Sequence, residues 1–277
     1  MHAIGGEATR KDFVGSSGRA LGAVAGAALL CIATTGPAVA ADDDPSTTPY
    51  RPSVSTPAAL SAPGWIEIEA GFAHEHNGDG ARRDSVPATV KLAFSPDWGI
   101  RVGGDAWVRQ RDAAMRASGV GDTSVVLKRR FAIDDAQAFG LEAQAAFPTA
   151  RHGLGSGSGK ADYGVNAIYS ADFGGAWHTD LNLIGTRLGQ VDGGASRAQL
   201  LWAAALSRAL NERWGVVGEF SGTHQRGGDG TSQFLLAASY NMTKQLTLDA
   251  GAARSLRSGP AVWSAFTGFT WLATRLF

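Results

Sequence analysis

Three groupings of residues in this 277-residue chain have types and spacings that could do chemistry. Gly153-Leu-Gly-Ser-Gly-Ser-Gly-Lys160 has the glycines and terminal lysine of a loop that wraps phosphate oxygens in backbone N–H groups. That loop requires glycine where Leu154 stands, and Ser or Thr where Ala161 follows the lysine, so the spacing points to a flexible external loop. His74-x-His76 places two imidazoles on one face of a strand. Zinc sites use three or four protein ligands, so a solvated loop is the better reading. His224 near Ser221 or Ser232 suggests the nucleophile and base of a lipid hydrolase. Such a pair needs hydrogen-bond reach and a third group to orient the base, and the sequence specifies neither. No residue is assigned as catalytic, cofactor-binding or metal-ligating.

A different set of charged residues falls at every second position of segments whose intervening residues are apolar. Glu67, Lys91, Arg101, Asp105, Lys128, Arg130, Glu142, Asp162, Asp180, Glu219 and Asp249 belong to it. Alternation with period two is the mark of a β-strand with two unlike faces. Ile66, Ile68, Ala70 and Phe72 oppose Glu67, Glu69, Gly71 and Ala73. Ala88, Val90, Leu92 and Phe94 oppose Thr89, Lys91, Ala93 and Ser95. Ile100, Val102, Gly104, Ala106 and Val108 oppose Arg101, Gly103, Asp105 and Trp107. In 122–131 the apolar face is broken by Arg129. Segments 138–148, 162–170, 177–186, 214–223, 231–240, 245–254 and 262–277 complete the set with 198–209. That last run contains Trp202-Ala-Ala-Ala-Leu206, which fits a helix by period and a strand by its length and neighbours. The total is twelve strands of about ten residues, an even number.

Composition agrees. Charged residues are 18% of the chain, against about 25% in soluble domains. Glycine occurs 37 times, and the 25 basic residues balance the 25 acidic ones. No basic excess exists to hold nucleic acid. Arg10, Lys11 and Arg19 precede an apolar run, Ala20–Ile32, and the triplet Ala38-Val-Ala40, the order of a secretory signal peptide. Cleavage after Ala40 removes Cys31, the single cysteine. An exported chain without disulfides needs a large core or a membrane for stability. Residues 41–62 carry four prolines and little apolar content, and are read as a flexible leader.

The connections also alternate. Short turns at 95–97, 132–137, 172–175, 211–213 and 241–244 interleave with longer Gly-, Asp- and Arg-rich loops at 74–84, 109–121, 149–161, 187–197, 224–230 and 255–261. Short turns at one end and long loops at the other describe a transmembrane barrel, one of the two architectures that satisfy every backbone polar group in lipid. Trp98, Trp177, Trp214, Tyr169 and Tyr240 fall beside the short turns, as an interfacial aromatic girdle requires. The apolar face should therefore meet lipid and the polar face the lumen. Lys91, Arg101, Lys128 and Arg130 either guide anions or fill a charge-paired lumen, and their grouping on the early strands suggests a basic wall facing an acidic one. The leader, entering from the short-turn side, would partly occlude that lumen.

Gly119-Val-Gly-Asp-Thr-Ser-Val-Val-Leu-Lys-Arg-Arg-Phe131 resembles a glycine–aspartate and lysine–arginine strand found in one family of bacterial outer-membrane proteins. That family is named for the meta-cleavage pathway of phenol degradation and is usually labelled a transporter. Ala146-Phe-Pro-Thr149, Gly153-x-Gly155, Asp162-Tyr-Gly164, Gly218-Glu219 and Leu248-Asp-Ala-Gly251 are similar to its further signatures, in order, across residues 63–277. Ala150 departs from the glycine usual there. The resemblance implies an all-β, antiparallel outer-membrane barrel for uptake of small, often aromatic or apolar solutes. The partners expected are outer-membrane lipid, a small solute and, through the aromatic terminus Phe277, the barrel insertion machinery. The alternatives are a closed structural or surface-interaction barrel and the membrane-embedded lipid hydrolase.

Overall fold

The computed structural model describes residues 44–113, 116–150, 159–191, 194–228, 230–256 and 262–277. The signal-peptide assignment, Cys31 and most of the glycine-rich loop at 153–160 lie outside the described residues.

Among the described residues every element is a strand: β1 (Trp65–His76), β2 (Arg82–Ala93), β3 (Trp98–Arg111), β4 (Arg116–Gly119), β5 (Thr123–Ala132), β6 (Gln137–Phe147) and β7 (Asp162–Phe173). They continue with β8 (Trp177–Arg187), β9 (Ala198–Ala209), β10 (Trp214–Gln225), β11 (Thr231–Thr243), β12 (Leu246–Ser255) and β13 (Trp263–Arg275). Each pairs antiparallel with its neighbours, and β1 pairs with β13, so the sheet closes. Both β4 and β5 pair with β3, as two pieces of one run interrupted at 120–122. The barrel thus has the twelve staves that the alternation predicts, and the ambiguous 198–209 segment is strand β9.

Burial is inverted relative to a soluble protein. Glu67, Glu142 and Glu219 are fully buried, while Val90, Phe139, Leu183 and Phe220 stand about half exposed on the outside. An exposed apolar belt of this extent exceeds what a soluble monomer carries and matches the lipid band of a membrane barrel. A soluble barrel would place the same residues the other way round. At the short-turn end Trp214 packs on Tyr240 at 4.8 Å and Phe139 on Tyr169 at 5.2 Å. Arg129, which breaks the apolar face in the sequence, lies over Trp98 and Phe131 at 5.2 and 4.5 Å. A guanidinium over aromatic faces at the interface is attracted by the ring quadrupole and keeps its charge near water.

One facing differs from the alternation. Val86 pairs with Trp107 but Pro87 pairs with Asp105, so Ala106 is an extra residue in β3. A bulge of one residue reverses every facing beyond it. Val108 is therefore fully buried and Trp107 is exposed, the opposite of the uninterrupted pattern.

Val90→Arg or Leu181→Arg should block assembly, because a cation on the lipid face at mid-membrane costs about 2–4 kcal/mol. The check is the boiling-dependent shift in gel mobility, which these variants should lose.

Candidate functional site: a charged lumen threaded by the leader

The leader is not a free tether. Residues 44–62 enter the barrel at the short-turn end, where the Thr47 N–H donates to the Lys244 carbonyl at 2.9 Å. They return to that end at Ala62, whose carbonyl accepts from Trp65 N–H at the start of β1. Composition alone predicts a flexible segment, because it has too little apolar surface to form a core of its own. Its order comes from the wall. Prolines hold it extended, so its backbone N–H groups find no partners within the segment, and a buried N–H needs one.

The wall provides acceptors at alternate positions. Thr48 N–H donates to Glu67 Oε2 at 2.8 Å and Tyr50 N–H to Glu69 Oε1 at 2.7 Å. Val54 and Ser55 N–H donate to the two Glu219 oxygens at 3.1 and 2.8 Å, and the Ser55 hydroxyl adds a third bond at 2.7 Å. Thr56 N–H donates to Asn182 Oδ1 at 3.1 Å and Ala58 N–H to Ser170 Oγ at 2.7 Å. Wall cations take the leader's carbonyls: Lys91 Nζ donates to Thr48 O at 2.7 Å, and Lys128 Nζ to Pro57 O. Arg51 reaches Asp249 at 3.2 Å. It does so across Gly71 and Gly268, a cross-strand pair whose missing β-carbons would stand 2.6 and 2.7 Å from the guanidinium.

Tyr50 is the anchor. Its ring carries Lys91 Nζ at 3.9 Å and Lys128 Nζ at 4.3 Å from the centroid, with Arg101 further out at 5.6 Å. Its hydroxyl donates to the Ala59 carbonyl at 2.7 Å, closing the leader into a loop. Ala58 adds apolar contact with Ala138 and Ile168 on the wall.

The candidate residues divide by their surroundings. Lys91 bridges Glu67 at 2.5 Å and Glu69 at 2.7 Å. Glu142 is shared by Arg101 at 3.2 Å and Lys128 at 3.5 Å. Asp105 pairs with Arg83. Asp180 accepts from Ser170 Oγ at 2.5 Å and lies 3.1 Å from His178 Nε2. Asp162 accepts from the Gly189 N–H at 2.7 Å, tying a long loop to the rim. Arg130 is half-buried, and its N–H caps the Asp97 carbonyl of a short turn. The basic and acidic walls suggested by sequence order therefore interlock: the cations of β2, β3 and β5 find carboxylates on β1 and β6. Glu69, Asn166, Ser170 and Asn182 belong to the same network, with Asn166 Nδ2 donating to Glu142 at 2.9 Å and to Asn182 at 3.0 Å. They share the inward parity of the chosen residues, and that parity was the signal that could have found them.

Among the described residues the leader leaves space in the lumen on two sides. A vestibule of about 810 Å³ opens between the leader and the short-turn rim, and a cavity of about 240 Å³ lies beside Thr89, Arg101 and Asn166. Tyr50, Arg51 and Ser53 form part of the wall of both, so the leader stands between them.

The other chemical groupings separate in space. Ser221 is buried on the inner face and His224 is exposed on the outer one, as an odd spacing along a strand dictates. His74 Nδ1 lies 2.7 Å from Asp84, and both His74 and His76 pack on Trp263. Among the described residues no cluster of metal-binding type occurs.

The family model described as "Putative MetA-pathway of phenol degradation" matches residues 100–273. The chain belongs to this family. No curated protein matches it. Among solved structures, an outer-membrane channel from Pseudomonas putida F1 is similar with a TM-score of 0.62 at 13% identity, over 77% of this chain and 97% of that one. The NanC porin follows at 0.54 and 12% identity, over 74% and 98%. The KdgM porin, solved with oligogalacturonate, gives 0.52 at 9% identity over 74% and 99%. At these identities the likeness is one of fold, the antiparallel barrel of outer-membrane channels. The family match begins within β3, so neither the leader nor β1 and β2 fall inside it.

Glu219→Ala should loosen the leader, since three hydrogen bonds to one carboxylate are lost, a change on the order of 3 kcal/mol. Limited proteolysis reads this as faster cleavage within residues 44–62 while the barrel stays intact. Lys91→Met should lower thermal stability by about 3–5 kcal/mol, because it leaves Glu67 and Glu69 buried without their cation. The temperature at which the gel shift is lost measures it.

Proposed function

We propose that this barrel is an outer-membrane channel for small solutes, aromatic or apolar ones among them, closed in this conformation by its own leader. The observation that carries the reading is the threaded lumen. A polar interior rich in charge pairs is enclosed by an apolar exterior, and residues 44–62 lie across it on hydrogen bonds to Glu67, Glu69, Asn182 and Glu219. The solute class rests on the phenol-degradation family. The KdgM porin, whose solved complex contains an oligogalacturonate, supports passage through a barrel of this fold. Location in the outer membrane, export through residues 1–40 and recognition of Phe277 by the insertion machinery belong to the same reading. The inward charges Lys91, Arg101, Lys128, Glu142, Glu219 and Asp249 then set what passes, since charges lining a narrow pore form the barrier that ions meet.

A closed interaction barrel is favoured by the same leader if it never leaves. Planar-bilayer recording separates the two. The channel reading expects low conductance from the chain beginning at Ala41 and a several-fold rise when residues 44–60 are deleted. A deletion variant that inserts, shifts on boiling and still conducts nothing would sink it.

A further inference from the structure

The outer face of β1–β4 carries a charged row that passage through the lumen does not use. Arg82 on β2 stands directly across from Arg111 on β3, and Arg111 directly across from Arg116 on β4. His76 on β1 is the next member, opposite Arg82, and Trp263 lies opposite His76. Cross-strand partners share a face. The parity that turns Phe72 and Val90 outward turns His76 and Arg82 outward with them. On β3 the bulge at Ala106 brings Arg109 and Arg111 to the side of the exposed Trp107. Without that extra residue both arginines would point into the lumen.

Like charges placed directly opposite destabilise a strand pair, and here three cations stand in line. Among the described residues none of Arg82, Arg111 or Arg116 has a salt bridge; the neighbouring Arg83 points inward to Asp105. Arg111 Nε is buried and has no hydrogen-bond partner. Among the described strand residues of this face, the carboxylate Asp84 lies one row lower, opposite Arg109 and bonded to His74. Below it the surface is apolar, with Phe72, Trp107 and Val102 exposed. The row spans two strand spacings, roughly 10 Å, at the long-loop end of the barrel.

A strip of guanidinium groups above a lipid-facing apolar surface has one complementary occupant. Arginine binds phosphate oxygens through paired N–H donors, and the apolar band below takes acyl chains. We infer that Arg82, Arg111 and Arg116 dock the phosphorylated headgroup of an outer-leaflet glycolipid, whose chains lie over Phe72 and Trp107. This rests on the outer-membrane reading, which sets the long-loop end at the outer surface.

The test uses the folded protein purified from membranes, with lipid binding counted by native mass spectrometry. Bis-phosphorylated lipid A, fully dephosphorylated lipid A and inorganic phosphate are the probes. Wild type should hold bis-phosphorylated lipid A, and Arg82→Gln/Arg111→Gln/Arg116→Gln should bind it about ten-fold more weakly. Dephosphorylated lipid A should bind no better to wild type than to the triple variant, and inorganic phosphate should not be retained. Arg187→Gln/Arg226→Gln, which removes two exposed arginines at the same end of β8 and after β10, should leave binding unchanged. Equal binding by wild type and triple variant overturns the proposal. So does an equal loss in the Arg187/Arg226 variant, which would mean general rim charge. Insertion into phosphatidylcholine vesicles is read in parallel. If wild type inserts and shows no preference for the phosphorylated lipid, the docking site falls and the barrel reading stands. If it enters no bilayer, both fall.

Discussion

The structure depends on buried carboxylates that must have donors. Closing a barrel with its apolar face outward leaves the charged face inside, where Glu67, Glu142 and Glu219 lose nearly all contact with bulk water. An unpaired charge so placed costs several kcal/mol. Lys91 and Lys128 meet part of that demand from neighbouring strands, and Arg101 reaches Glu142 across β5. Glu219 has no cation within salt-bridge distance among the described residues, and the backbone N–H groups of Val54 and Ser55 with the Ser55 hydroxyl stand in its place. The leader, for its part, is proline-rich and extended, so its amides need acceptors that it cannot offer itself. Each solves the other's deficit.

This mutual dependence explains why the lumen is charge-paired instead of polarised. In low dielectric, opposite charges 2.5–3.5 Å apart interact more strongly than a wall-to-wall field across the lumen would allow. Cations therefore sit beside carboxylates one or two strands away, and the lysines' remaining donors turn to the leader's carbonyls and the Tyr50 ring. The ring adds an aromatic face that two ammonium groups share. A polar solute entering the lumen would face the same donors and acceptors that now hold the leader.

The outer surface follows a separate rule. Lipid tolerates apolar side chains at mid-depth and amphipathic ones at the edges, and the wall obeys it with aromatic residues and Arg129 at the short-turn rim. At the other rim a single extra residue in β3 decides which face Trp107, Arg109 and Arg111 take. A bulge therefore sorts three residues between lumen and membrane without any change in their identity.

The twelve staves, the alternation of short turns and long loops and the inward parity of Glu67, Lys91, Arg101, Lys128, Glu142, Glu219 and Asp249 were legible in the sequence. Period two is local, and a closed sheet converts it directly into two faces. The family signatures pointed to the same architecture. Three matters needed the tertiary structure. The bulge at Ala106 depends on the register against Val86 and Pro87, which no single strand encodes. The pairing of Glu142 with both Arg101 and Lys128 depends on strands brought together by closure. The order of residues 44–62 depends on acceptors far along the chain, at Asn182, Glu219 and Asp249. Composition reads that segment as unable to fold, and alone it has no core; the barrel wall gives it partners that its own sequence lacks.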